Sequence, residues 1–169
     1  MQDTEELDVV DERDRVISRA TRRRVHDDYL IHRSVIFFVF DDEDRVFVNQ
    51  RSATKDLYPS CWSIAFGGHV HAGEGYDAAA TREIEEETGL RDSPFAITSF
   101  QKYTADEREN VRVYGVRAGT ELKLFAEEIE QGQFVTIAEL NQMLGRFDFL
   151  PETPTLLKTL IDHTARKLT

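Results

Sequence analysis

Glu83, Glu86 and Glu87 stand three and four residues apart in the segment EIEEET, residues 83–88. On a helix, residues at that spacing share a face, so three carboxylates would project from one patch. Like charges so placed destabilise an isolated helix by a few tenths of a kcal/mol per pair, on the order of what one surface pair contributes. A hard divalent cation with oxygen ligands would offset that repulsion. Acid-rich helix surfaces are usually solvated faces, however, and EIEEE alone supports nothing more. The residues around it carry the chemistry. The whole stretch, residues 67–90, reads GGHVHAGEGYDAAATREIEEETGL.

Counted from Gly68, fixed residue types fall at Glu74, Arg82, Glu83, Glu86, Glu87 and Gly89, with aliphatic Ile84 and Leu90. This resembles the Nudix box, whose pattern is G, five residues, E, seven residues, then R-E-U-x-E-E-x-G-U, with U aliphatic. Every position is filled, and a match of that length is specific. The resemblance implies a Nudix-type α/β/α sandwich and a metal-dependent hydrolase. Its substrate would be a nucleoside diphosphate linked to another moiety, or a related small diphosphate. Water would attack phosphorus with the help of Mg²⁺, or Mn²⁺ in its place. Under the resemblance the catalytic set is Glu83, Glu86, Glu87 and Arg82, and the metal set is Gly67, Glu83, Glu86 and Glu87. Glu86 and Glu87 would be the principal carboxylate ligands, with Glu83 joining them or acting as base. Gly67 and Gly68 would let the backbone turn tightly and bring a carbonyl oxygen to the metal. Arg82 keeps its proton, so it orients and balances a glutamate. Glu74 would brace the helix or touch metal-bound water, and Glu127 or Glu128 would supply an acid from outside the box. A catalytically silent nucleotide-binding domain is the reading from another functional class.

The flanking sequence is also similar to the isopentenyl-diphosphate isomerase branch of the superfamily, through HRSVIFFVF, QRSATKDLYPSCW and GHVHAGE. His32 and His69 match metal-binding histidines of that branch, and His26 lies near a third. Its chemistry needs a cysteine at the position of Gly67 and a glutamate at the position of Val111. Neither is present, and Cys61 lies on the wrong side of Trp62. The hydrolase reading keeps its residues and the isomerase reading loses them. His26 and His71 read as hydrogen-bonded structural residues, and a metal site at His32 and His69 is the lesser reading.

These groups need a scaffold. Residues 76–88 read as a helix, with Ala78, Ala79, Ala80 and Ile84 against a sheet and the acids outward. Gly89 ends it in a left-handed conformation. Residues 34–40 form a buried strand, 41–44 a polar turn, and 45–50 an alternating return strand. Residues 62–66 are a short strand that delivers the chain to Gly67 and Gly68. Strands follow at 95–103, 110–116 and 133–135, with helices at 137–144 and 153–168. The terminal helix carries Leu156, Leu157, Leu160 and Ile161 at helical spacing. Residues 7–10 and 16–18 suggest a hairpin, which with the basic run RATRRR spans about 7–24. Those arginines read as a solvated edge; the alternative is contact with a phosphorylated substrate or a second copy of the chain. No repeat or linker interrupts the pattern, so the expectation is one domain over residues 1–169. Its class is α/β (α+β) with a mixed sheet, the box at 68–90 and a C-terminal helix at about 153–168.

Composition narrows the partners. The chain has 169 residues, 40% hydrophobic and 31% charged, which suits a globular fold. A net charge of −11 argues against binding a nucleic acid polymer or an anionic membrane. The single cysteine, Cys61, excludes an internal disulfide and reads as a packing residue. The acidic start lacks a signal-peptide pattern, and no apolar run approaches the ~18 residues of a membrane span. The expected location is therefore cytoplasmic. Substrate-binding residues stay unassigned, with specificity expected from 22–31, 52–62 and 104–110. Tyr58, Trp62, Phe66 and Tyr103 are candidates to stack on a base, although each is more often core. Oligomeric state is open; a homodimer could pair through the N-terminal hairpin.

Overall fold

The computed structural model describes residues 4–55, 57–118 and 121–167. A hairpin, β1 (Glu6–Val10) and β2 (Val16–Thr21), leads into the short helix α1 (Arg22–Asp27). The central elements are β3 (His32–Phe40), β4 (Val46–Arg51), β5 (Trp62–Ser63), β6 (Phe66–His69) and the helix α2 (Tyr76–Thr88). Then come β7 (Phe95–Tyr103), β8 (Arg108–Arg117), β9 (Ile129–Val135), α3 (Ile137–Leu144) and α4 (Thr153–Lys167).

The sheet is built on β3, whose side chains alternate between two cores. Val35, Phe37 and Val39 pack with Ala79, Ala80 and Ile84 of α2 on one face. Phe38 and Phe40 pack with Leu140 and Met143 of α3 and Leu156 and Leu160 of α4 on the other. Both faces are covered, which is why β3 reads as a continuous apolar run. β3 runs parallel to β8 and antiparallel to β6, so the sheet is mixed and the class is α+β. The expected class and sandwich are therefore observed.

One irregularity makes room for a site. β3 and β4 pair only at Phe40 and Val46, the end next to their turn. Beyond it they separate: β6 takes the edge of β3, while β4 pairs with β9 and β5. The single strand expected at 62–66 is thus two. β5 belongs to one half of the split and β6 to the other, and Ile64 is fully buried between them. β4 does not alternate as expected, because Val46, Phe47, Val48 and Asn49 are all buried between the layers. β9 begins at Ile129 rather than 133, since its partner β4 lies far away in sequence. β8 begins at Arg108, which brings Glu109 and Asn110 into the sheet.

The hairpin docks on the sandwich through specific polar contacts. Asp14 accepts from Arg33 Nε at 2.9 Å and from the Tyr76 hydroxyl at 3.0 Å. The Asp8 carboxylate accepts from the Gly73 amide at 2.8 Å. The basic run is already committed to acids: Arg19 to Asp8 at 2.9 Å, Arg22 to Glu5 at 3.7 Å, Arg23 to Asp27 at 3.5 Å and Arg24 to Asp28 at 3.0 Å. The solvated-edge reading is the one these pairs support. Among the described residues, no helix is long and apolar enough to cross a membrane.

Gly67 and Gly68 lie in β6 and not in a tight turn, and neither has a positive φ. Glycine is needed at Gly67 for close approach: a Cβ there would sit 2.5 Å from the Val35 carbonyl oxygen. That backbone cannot yield without disturbing the β3–β6 pairing. Gly67→Ala is expected to lower unfolding free energy by about 1–3 kcal/mol. Gly145→Ala, whose Cβ would meet only ordinary contact at 3.7 Å, should change it by less than about 0.5 kcal/mol. Urea denaturation of the two variants checks the difference.

Candidate active site

α2 forms where the spacing placed it, and Gly89 closes it at φ 70°. The expectation that all its acids face outward fails at Glu83, which is only 8% exposed. Gly68 explains the burial, because any Cβ at that position would overlap the Glu83 carboxylate. Ala78 is exposed instead, so the sheet-facing side is Ala79, Ala80, Glu83 and Ile84.

Arg82 makes the burial tolerable. Its Nε donates to Glu74 Oε1 at 3.1 Å. Nη1 donates to Glu83 Oε1 at 2.6 Å and to Glu86 Oε2 at 3.1 Å. Nη2 donates to Glu74 Oε2 at 3.0 Å and to the His69 carbonyl at 2.9 Å. A guanidinium has five N–H groups, and all five are used. Burial works against ionisation of Glu74, but the Arg82 bonds and the His71 amide outweigh it and hold its carboxyl below the usual range. Glu74 is thus tied to α2 through Arg82.

The other acids are less well served. Burial pushes the Glu83 carboxyl up despite Arg82, and the nearby charge of Glu86 adds to the shift. Glu87 is pushed up to about 7, first by burial and then by the charges of Glu83 and Glu128. Negative charge is thus packed more tightly here than protein donors alone can balance.

A cavity of about 320 Å³ opens where β3 and β4 separate. Gly67, Gly68 and Glu87 line it, as do Arg51, Lys102, Glu107, Glu109 and Glu128. Glu86 does not line it, and its side chain is 59% exposed. Glu128 is ion-paired with Lys55, whereas Glu127 is exposed and lies outside the cavity. Of the aromatic candidates only Phe66 reaches the cavity wall, and it is buried in the core against Phe37. Trp62 packs on Phe147, while Tyr103 carries the Arg108 guanidinium 4.8 Å above its ring. Tyr58 is half exposed and away from the cavity.

Residues 30–153 match the NUDIX domain. The chain belongs to the Nudix family. It is similar to an uncharacterised Nudix hydrolase of Streptomyces coelicolor, 40% identical over 150 residues that cover 86% of this chain and 82% of that protein. Its fold is similar to a crystal structure from Deinococcus radiodurans, with a TM-score of 0.75 and 24% identity over 94% of this chain and 99% of that one. It is also similar to the Nudix domain of Shewanella oneidensis NrtR, determined in complex with ADP ribose. There the TM-score is 0.60 at 14% identity, over 81% of this chain and 88% of that one. As a Nudix hydrolase the protein acts on phosphorus anhydrides.

The Nudix box, the Arg82 hub and the cavity therefore meet at one place. The thiol that the isomerase reading needs has no room there, since Gly67 abuts the Val35 carbonyl. Val111 is buried in the core and Cys61 is half-buried in a loop, so neither supplies the missing pair.

The histidines fall differently from expectation. His71 pairs with Glu5 at 2.8 Å, a structural role. His26 does not stay apart: its ring lies 5.2 Å from that of His32 and 5.4 Å from that of His69. Burial lowers the His32 ring below the usual imidazole range. Burial, with neighbouring positive groups, lowers His69 to about 3. The sequence pointed to this grouping only through the isomerase resemblance, as the lesser reading, and it missed Lys102, which grips Glu107 at 2.7 Å and Glu109 at 2.9 Å. Local spacing announces neither, because each is assembled across separate elements.

Glu87 gives a pH prediction with a definite sign. Its folded value of about 7 lies above the unfolded value of about 4.3. Between them the folded state holds a proton that the unfolded state has released, so stability falls as pH rises through that window. In chelator, Glu87→Gln should be more stable than the parent at about pH 8, and the gap should close by about pH 4. Urea denaturation across pH measures both.

Proposed function

We propose that the protein is a Mg²⁺-dependent Nudix hydrolase that cleaves the diphosphate bond of a small nucleotide-like substrate in the cytoplasm. The observation that carries this reading is the under-compensated acid group of Glu83, buried beside Gly68, and Glu87, which lines the cavity. Nudix hydrolases generally need a divalent metal, and all-oxygen donors are the set that Mg²⁺ or Mn²⁺ takes. Glu83, Glu86 and Glu87 with the Gly67 carbonyl would hold it. When bound, the ion supplies charge neutralisation at the diphosphate and a lowered pKa for attacking water.

The chain's own residues do the rest. Arg82 positions three glutamates at once and fixes the separation between the helix and the β6 strand. Gly68 admits the Glu83 carboxylate to the β6 backbone. Glu87 lines the cavity, where it would serve as a ligand beside the substrate. Arg51 also lines the cavity, donates to the Leu57 carbonyl at 3.3 Å and is the natural contact for a substrate phosphate. A nucleotide-like ligand is in keeping with the ADP ribose held by the Shewanella oneidensis domain. The same reading takes residues 1–169 as one domain, with the docked hairpin as part of it.

The test is product release from a panel of nucleoside diphosphate derivatives with Mg²⁺ or Mn²⁺. The parent should turn over at least one member, and Glu86→Gln and Glu87→Gln should each lose about 10²-fold or more. A parent inert on every diphosphate, while binding one tightly in the presence of metal, would favour the silent binding domain. Variants as active as the parent would remove the box from the mechanism.

A further inference from the structure

Ser34 of β3 and Asn49 of β4 belong to the two strands that separate, and both line the cavity between them. They are 5% and 4% exposed, yet Ser34 Oγ and Asn49 Nδ2 have no hydrogen-bond partner. Other polar groups of the cavity are committed. Ser63 donates its hydroxyl to the Ala65 carbonyl, and Lys102 holds Glu107 and Glu109. The backbone at Asn49 is fixed on both sides, opposite Ser63 of β5 and Gly132 of β9. Buried polar atoms are almost always paired, and an unpaired donor lowers stability. Two of them on one cavity wall suit a ligand that completes their bonds.

We propose that Asn49 and Ser34 determine specificity by binding the non-phosphate part of the substrate, and that this part is a nucleobase. The inference rests on the hydrolase reading above, which puts the phosphates beside Glu87 and Arg51 of the same cavity. A carboxamide sets N–H donors beside a carbonyl acceptor, and a nucleobase edge offers the complementary acceptor and donor side by side. The serine hydroxyl can donate to such a ring or accept from it. Both groups are uncharged, so they suit a neutral heterocycle, whereas a phosphate calls for a cation such as Arg51. Ile36, Ile129, Leu150 and Leu156 give the cavity apolar wall for the faces of a ring. A hydrocarbon tail would leave both polar groups unpaired, and a site built to hydrogen-bond its ligand rejects one that cannot. Neither residue lies in 22–31, 52–62 or 104–110, the segments from which specificity was expected. They sit instead on the strands whose divergence makes the cavity.

The test titrates the full chain, in chelator, with adenosine, guanosine, cytidine and uridine by calorimetry, and with ribose as the base-free control. At least one nucleoside should bind, and ribose should not. Asn49→Leu should weaken that nucleoside by about 5- to 150-fold, the worth of one bidentate contact to a base. The same change should leave stability in urea equal to the parent's or higher, because it removes an unpaired buried amide. An asparagine that served only the fold would show the reverse. Ser34→Ala, which removes a single oxygen, should weaken binding in the same direction, and it decides the matter if Asn49→Leu does not fold. No nucleoside bound above ribose would overturn the proposal, as would affinities unchanged in the folded variants. Nucleosides carry no diphosphate, so base binding without turnover of any diphosphate would count against the hydrolase reading alone. Turnover indifferent to the base and to both changes would count against this inference alone.

Discussion

The guanidinium of Arg82 is the interaction on which the site depends. It lies on α2, yet its five N–H groups reach Glu74 from the preceding loop, the His69 carbonyl of β6, and Glu83 and Glu86 of its own helix. An aliphatic ammonium has three rotatable donors and no fork, so lysine could not hold that set. Without the hub, Glu83 would be a buried carboxylate with no counter-charge, an arrangement that is strongly destabilising. With it, the acids are held at fixed places while their charge stays incompletely balanced. An arginine can position acids and share their charge, but it leaves Glu87 to be neutralised by a proton or by something else.

The second constraint is the divergence of β3 and β4. A fully paired sheet would have closed the space that the cavity occupies. Because β4 leaves β3 after Phe40 and Val46 to pair with β9, and β6 fills only one side, an opening remains between the two halves. Apolar cores above and below keep the halves rigid. The chain's net charge of −11 would repel a phosphorylated ligand at long range. Arg51 and Lys102, which line the cavity, place positive charge at short range there.

Much of this was legible in the sequence, for local reasons. The C-terminal end of α2 follows from Gly89, and the box is a spacing within one loop and one helix. β3 announced itself through β-branched and aromatic residues buried on both faces. What stayed hidden depends on residues brought together across the sheet. Helix periodicity alone turned Glu83 outward; the missing side chain of Gly68, fifteen positions earlier in the chain, turns it in. The split of residues 62–66 between β5 and β6 follows from two different partner strands. His26 read as structural, although the isomerase resemblance put it near a third metal-binding position, and the fold sets its ring beside those of His32 and His69. Glu128 was one of two acids in the expected segment, and it lines the cavity whereas Glu127 does not.

The central claim is that the carboxylates ordered by Arg82 form an oxygen-donor site for a divalent ion. Anomalous scattering from crystals grown with Mn²⁺ and a non-hydrolysable nucleoside diphosphate analogue tests it most directly. The expected result is Mn²⁺ among Glu83, Glu86, Glu87 and the Gly67 carbonyl, in contact with the analogue's phosphates. Ordered analogue in the cavity with no manganese at those glutamates would contradict the claim.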